Sequence, residues 1–212
     1  DGRSLSTFGD VACYSFYSNK NISTAEGGML LTNDEEVAER VGILRSHGMT
    51  STAYERENGS EFYDVKEYGY NYRMDDIRAS LGLAQLEKLP GDIKKRERLV
   101  NRYRSKLAEI DGVHVPFKNY EGRASNYVFG VLTDHPSRAK LREQMDERGI
   151  GTSMHYPPVH QFECYEPFST SLPVTEEIGR REISLPLFHD MTTEQVDHVC
   201  ESLGECLSAV RV

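Results

Sequence analysis

Between Asp75 and Leu89 apolar side chains recur at helical spacing on two sides of one helix. Met74, Ile77, Leu81 and Ala84 fall on one face, and Leu83, Leu86 and Leu89 make a second. A helix patterned this way is expected to be covered on more than one side, which places it within a layered domain. Gly82 offers a point where another backbone can come close. Pro90-Gly91 then interrupts the pattern, and a second helix is expected over Asp92–Ile110, its mixed charges forming a solvated face. The interruption sets the expected domain boundary at Leu89–Asp92, giving one domain over residues 1–89 and another over 90–212.

Short strands flank this region. Val11–Phe16 and Met29–Thr32 read as strands, separated by a polar loop over Ser18–Thr24 and by Gly27-Gly28. Asn33 and Glu36 have capping-box spacing ahead of a helix running to about Arg45. Residues Gly48–Tyr70 read as an irregular loop, long enough to imply a function. Beyond the boundary, Val113–Val115, Tyr127–Leu132 and Thr152–His155 are expected strands. Pro136–Arg148 is an expected helix closed by Gly149-Ile150-Gly151, and Glu182–Leu185 is an edge segment stopped by Pro186. Thr192 and Gln195 form a second capping-box pair. Val196, Val199, Cys200, Leu203, Cys206, Leu207 and Val210 follow at helical spacing. Strands and helices mixed in this order imply an α/β class, with a small α/β sandwich at the C-terminal end.

Charge and composition exclude several functions. The 212 residues carry a net charge of −9, and no basic stripe is present that would suit nucleic acid. No apolar run approaches the roughly 20 residues that span a bilayer. Cys13, Cys164, Cys200 and Cys206 match no zinc spacing and read as reduced thiols of a cytoplasmic protein, with Cys200 and Cys206 on a core-facing helix stripe. The chain opens on Asp1-Gly2-Arg3, without an initiator Met and close to a first strand, which leads us to expect a fragment of a longer protein.

The stretch that carries chemistry is Gly9–Gly28. A lysine, Lys20, stands in a polar loop just after a strand and is followed by Glu26-Gly27-Gly28. Taken alone, a loop lysine is a solvated charge. Its neighbours change that reading. Ser15 precedes it by five residues and Asn21 follows it directly. A second block runs Gly69-Tyr70-Asn71-Tyr72-Arg73-Met74-Asp75-Asp76-Ile77 and continues in Gln85-Leu86-Glu87-Lys88-Leu89. A third is Ser184-Leu185-Pro186-Leu187-Phe188.

These blocks, in this order over nearly the whole chain, resemble the DegT/DnrJ/EryC1/StrS family of sugar aminotransferases. The resemblance implies the type I fold of pyridoxal-phosphate-dependent transferases (aspartate aminotransferase-like). Residues 1–89 would be the C-terminal part of the large cofactor-binding domain and 90–212 the small domain. It implies pyridoxal 5'-phosphate as cofactor, with Lys20 holding it covalently and later moving the substrate proton. Lysine suits both tasks because desolvation and neighbouring charge lower its pKa. Ser15 would bind the phosphate, and Asn71 would reach the phosphate of a partner subunit's cofactor in a homodimer with shared sites. Without the resemblance, Ser15 and Asn71 read as turn-capping residues. Gly27 and Gly28 serve the backbone, through positive φ or close packing.

The same resemblance puts His47, His155 and His160 on the substrate side, the last two within His155-Tyr156-Pro157-Pro158-Val159-His160; read alone, His47 fits a structural helix-end residue equally well. Arg73 reads either as an anion-binding side chain or as part of a buried ion pair. Two histidines five residues apart raise the question of a metal, but no carboxylate or cysteine has matching spacing, so no metal site is expected. Ser184-Leu185-Pro186 is expected to be structural. His189 stands where relatives commonly have proline, which bears on loop shape and not on the reaction.

The implied activity transfers an amino group, from glutamate, to a nucleotide-linked keto sugar, in amino-sugar or surface-polysaccharide biosynthesis. In relatives about half of the large domain precedes residue 1 and supplies the aspartate facing the pyridine nitrogen, so the segment alone is expected to be a poor catalyst. Three competing readings stand beside this one. A sugar dehydratase of the same family would carry histidine in place of Lys20, which argues against it. An aminotransferase acting on a cyclitol ketone fits equally, and a truncated chain serving as a non-catalytic dimerisation module is the non-enzymatic reading.

Overall fold

A computed structural model of the chain describes residues 2–51, 59, 62–120 and 122–209. It divides into two compact units, Asp1–Leu89 and Pro90–Val212.

In the first unit, β1 (Val11–Ser15) and β2 (Gly28–Thr32) form an antiparallel pair, in register from Val11 opposite Thr32 to Ser15 opposite Gly28. Helix α1 (Glu35–Leu44) follows at once. Its cap is Asp34, whose Oδ1 accepts from the N–H groups of Glu36 and Val37, and not Asn33 as expected. An isosteric but charged side chain one residue later meets the free N–H groups and is favourable at the helix start. Much of the expected Gly48–Tyr70 loop lies outside the described residues. Its ends are held by isolated bridges pairing Ser46 with Asn71 and Met49 with Val65.

Helix α2 (Asp76–Leu107) continues through Pro90, where two helices were expected. Proline removes one N–H and crowds the carbonyl four residues back, a local cost of about 3 kcal/mol. The turns beyond it are fixed by burial of Arg96, Leu99, Val100, Tyr103 and Leu107. That burial defines one face of its second half, with Arg96 the one charged residue buried there, while Lys94, Glu97 and Arg98 stay exposed as the solvated-face reading expects. Asp75 caps the helix, its Oδ1 accepting from the Arg78 N–H at 2.9 Å. This bond is the first cause of the lowered Asp75 pKa. The double apolar face is not covered among the described residues: Ile77 is 84% exposed and Leu83 66%. Gly82 meets a side-chain methyl, Thr24 Cγ2, and not a second backbone.

The second unit holds the core. Strands β3 (Val113–His114), β4 (Phe129–Thr133) and β5 (Glu182–Leu185) form an antiparallel sheet in that order. Helices α3 (Arg138–Asp146), α4 (Pro173–Arg181) and α5 (Thr193–Ser208) complete the unit, and α3 packs on both α5 and β5. β5 is buried along its length, and the expected strand over Thr152–His155 reduces to one bridge, Ser153 to Ser184, on its outer side. Helix α4 had no counterpart in the sequence reading. The capping box of Thr192 and Gln195 starts α5 as expected, and Val196, Val199, Cys200, Leu203, Cys206 and Leu207 face inward. Tyr103 stacks on Phe129 at 4.8 Å and donates to the Pro186 carbonyl at 2.8 Å. Arg96, also buried, donates to the carbonyls of Asn126, Tyr127 and Leu187, tying α2 to both flanks of the sheet.

Candidate active site

The loop after β1 is closed at its base by two backbone bonds, Phe16 N–H to the Gly27 carbonyl at 2.8 Å and Thr24 N–H to the Phe16 carbonyl at 2.9 Å. Thr24 is buried and its hydroxyl donates to the Glu26 carbonyl. A Cβ on Gly27 would lie 2.5 Å from Thr24 Oγ1 and 2.9 Å from Met74 Cε, so the Glu26-Gly27-Gly28 turn works by close packing. Met74 and Gly82, at the start of α2, thus seat the loop base. Lys20 sits in this loop, half-buried, with its N–H bonded to the Tyr17 carbonyl at 3.0 Å. Ser15 Oγ, at the end of β1, accepts from the Tyr17 N–H at 3.3 Å. That is the turn bond of its local reading, and it leaves the hydroxyl hydrogen available to a ligand oxygen.

The second group lies around His47. Here two chain segments approach so closely that a Cβ on Gly69 would collide with the Gly48 nitrogen and the His47 carbonyl carbon. Backbone bonds join His47 N–H to the Tyr70 carbonyl, Tyr70 N–H to Leu44 and Tyr72 N–H to Arg45. His47 itself has φ 62°. On this frame the Arg73 guanidinium lies 3.4 Å from His47 Nε2 and 3.4 Å from Asn71 Oδ1. The structure therefore brings His47, Asn71 and Arg73 together at the surface. Arg73 is exposed and has no carboxylate partner among the described residues, which removes its buried-ion-pair reading.

In the second unit, His155 and His160 have separate surroundings. His160 Nε2 is 3.3 Å from Glu176 Oε1, which also accepts from the Leu172 N–H. The Leu172 bond, then His160, holds the Glu176 carboxyl below its ordinary range. His155 Nδ1 is 2.8 Å from Ser184 Oγ, and its N–H donates to Glu182 Oε2 at 3.0 Å. Glu182 and Ser184, both buried, were not picked out from sequence; a Glu and a Ser in a short strand carry no signal of what they face. Among the described residues no three His, Cys, Asp or Glu side chains converge as a metal site would need.

The donors of the first unit suit a phosphorylated aldehyde: a half-buried amine that can condense with the carbonyl, and a hydroxyl, an amide and a guanidinium that can meet phosphate oxygens. The chain belongs to the DegT/DnrJ/EryC1/StrS aminotransferase family, whose model matches residues 1–204. It is 36% identical over 214 aligned positions to the spore coat polysaccharide biosynthesis protein SpsC of Bacillus subtilis, covering 96% of this chain and 55% of SpsC. It is 34% identical to the GDP-perosamine synthase of Escherichia coli O157:H7, covering 98% of this chain and 54% of that enzyme. The chain thus spans about half the length of these curated relatives. A sugar aminotransferase of Streptococcus pneumoniae, solved in its PLP form, superposes with a TM-score of 0.87 at 28% identity, over 99% of this chain and 54% of that one. Its PMP form gives 0.88. The fold is that of the type I pyridoxal-phosphate-dependent transferases, and the family is pyridoxal-phosphate-dependent. No helix among the described residues is long and apolar enough to cross a membrane.

Proposed function

We propose that this chain is the cofactor-lysine half of an aminotransferase that moves an amino group from glutamate to a nucleotide-linked keto sugar, for an amino sugar or a surface polysaccharide. The observation that carries the reading is Lys20, half-buried in a loop closed at its base and five residues after Ser15 at the end of β1. The names of SpsC and of GDP-perosamine synthase support the substrate class. Residues 1–89 act as the C-terminal part of the large domain and 90–212 as the small domain.

Pyridoxal phosphate, when bound, supplies an electron sink for the carbon that bears the amine. Lys20 Nζ would hold it covalently in the resting enzyme; once displaced by the donor's amine, the freed Lys20 amine would take the proton from the donor's amine-bearing carbon and return it on the way to product. Ser15 donates its hydroxyl hydrogen to the phosphate. Asn71 and Arg73, at the surface of the first unit, reach the phosphate and anionic groups at a partner subunit's site, which makes the working form a homodimer. His47, His155 and His160 lie on the sugar side. The free cysteines suit the reducing cytoplasm.

The test is chemical. The full-length protein is mixed with pyridoxal phosphate and reduced with borohydride, and the modified lysine is located by mass spectrometry. We expect the adduct at Lys20, an absorbance band near about 420 nm before reduction, as for a lysine Schiff base, and release of 2-oxoglutarate on adding glutamate. Turnover that survives Lys20→Ala would end the reading.

A further inference from the structure

Glu182, Ser184 and His155 form a chain of hydrogen bonds whose directions can be read. Glu182 is buried in β5, opposite Leu132 of β4, and Ser184 is buried two residues on, opposite Gly130. Gly130 makes room for the carboxylate: a Cβ there would lie 2.9 Å from Glu182 Oε1. Ser184 Oγ donates to that same Oε1 at 2.6 Å, while Oε2 accepts the backbone N–H of His155 at 3.0 Å. The segment bearing His155 is pinned by paired backbone bonds between Ser153 and Ser184, 3.1 and 2.9 Å long.

A carboxylate only accepts, and a serine hydroxyl has a single hydrogen. With that hydrogen given to Glu182, Ser184 Oγ can meet His155 Nδ1, at 2.8 Å, only as an acceptor. The imidazole proton must then sit on Nδ1. Ser153 Oγ, 3.4 Å from the same nitrogen, can add a second, weaker acceptor. Nε2 is left with its lone pair and no protein partner among the described residues.

We infer that Glu182 and Ser184 are positioning residues that hold His155 as the Nδ1–H tautomer, so that Nε2 is presented as a hydrogen-bond acceptor for a hydroxyl or amine hydrogen of a polyhydroxylated ligand. The ligand class rests on the sugar aminotransferase reading above; the tautomer does not. Free imidazole favours the opposite tautomer, so the protein's arrangement sets what this histidine can recognise. Ser184 belongs to the Ser-Leu-Pro stretch expected to be structural, and the strand pairing gives its hydroxyl this additional role.

Tautomers of histidine are distinguished by long-range proton–nitrogen NMR spectra of the 15N-labelled chain, recorded without cofactor or substrate. The expected result is a protonated Nδ1 and an unprotonated Nε2 for His155, assigned by its loss in His155→Gln. In Ser184→Ala the close acceptor is gone and only the long contact to Ser153 Oγ, at 3.4 Å, remains, so in the Ser184→Ala, Ser153→Ala double variant the proton should move to Nε2. In Glu182→Gln the amide can donate to Ser184, whose hydroxyl then turns to Nδ1, and the proton should again move to Nε2. An Nε2–H tautomer in the unsubstituted chain, or an Nδ1–H tautomer retained in the folded double variant or in Glu182→Gln, overturns the inference. Should the double variant fail to fold, the near-isosteric Glu182→Gln decides. Because turnover is not measured, failure here is separate from failure of Lys20 to bind a cofactor.

Discussion

The two units differ in where their apolar residues go. Every buried apolar side chain among the described residues lies between Leu99 and Leu207, in the second unit. The first unit buries Thr24 and Ser46 and leaves Val11, Tyr14, Met29, Leu31, Ile77 and Leu83 exposed. Yet the first unit carries Lys20, Ser15 and the His47–Asn71–Arg73 group. Stability and chemistry are therefore written in different parts of the chain. The second unit contains its own hydrophobic layer. The first is arranged by backbone bonds and glycine contacts, and its apolar faces lie exposed.

The contrast can be broken most directly with thiol reagents. Cys13 and Cys164 are exposed, while Cys200 and Cys206 are buried, and burial pushes the Cys200 thiol up to about 12. Two thiols should react at once in the native chain, and the other two slower by on the order of a thousandfold or more, because they wait for the core to open. Equal rates for all four would show that the second unit has no closed core.

Leu141→Ala, at a side chain with no exposure, should cost about 2–5 kcal/mol in urea denaturation. Ile77→Ala in this chain should change stability by no more than about 0.5 kcal/mol. A large loss at Ile77 would mean that its face is covered after all. Between these two, Tyr103→Phe removes the donor to the Pro186 carbonyl and should cost about 1–2 kcal/mol, leaving that acceptor unmet.

The least effect is expected from acid. The bidentate hydrogen bond from Arg102 holds the Asp197 carboxyl below its ordinary value. The unfolded state therefore binds the proton first as pH falls, so the stability this pair gives is present above the unfolded pKa and lost on acidification through the folded one. The urea midpoints of the natural chain and of Asp197→Asn should converge at low pH. A gap that persists there would assign the difference to packing.

How much of this was legible in the sequence follows the same division. The strands around Lys20, the helix closing the chain and the Thr192–Gln195 box were readable because local spacing and capping decide them. The passage of α2 through Pro90 was not, since the burial that holds the following turns is tertiary. Helix α4 did have a signal, Pro173 at its first position with Glu177 four residues before Arg181, but over 9 residues its apolar pair, Val174 and Ile178, is too short a run to set a helical period. Lys20 and its companions could be named only through a pattern of blocks. Glu182 could not, because its partner positions, Gly130 and His155, are set by strand register and a bridge across β5. The covered double face of the α2 start was an accurate reading of the pattern and a wrong one for this chain alone.

The contact between Gly48 and Gly69 has a consequence for tolerance to change. Neither residue has a side chain, and neither can touch a ligand through one. Even so, a methyl group at either position would force apart the strands of chain from which His47, Asn71 and Arg73 project. A saturation screen scored on substrate handling should therefore find two of its least permissive positions where there is no functional group at all.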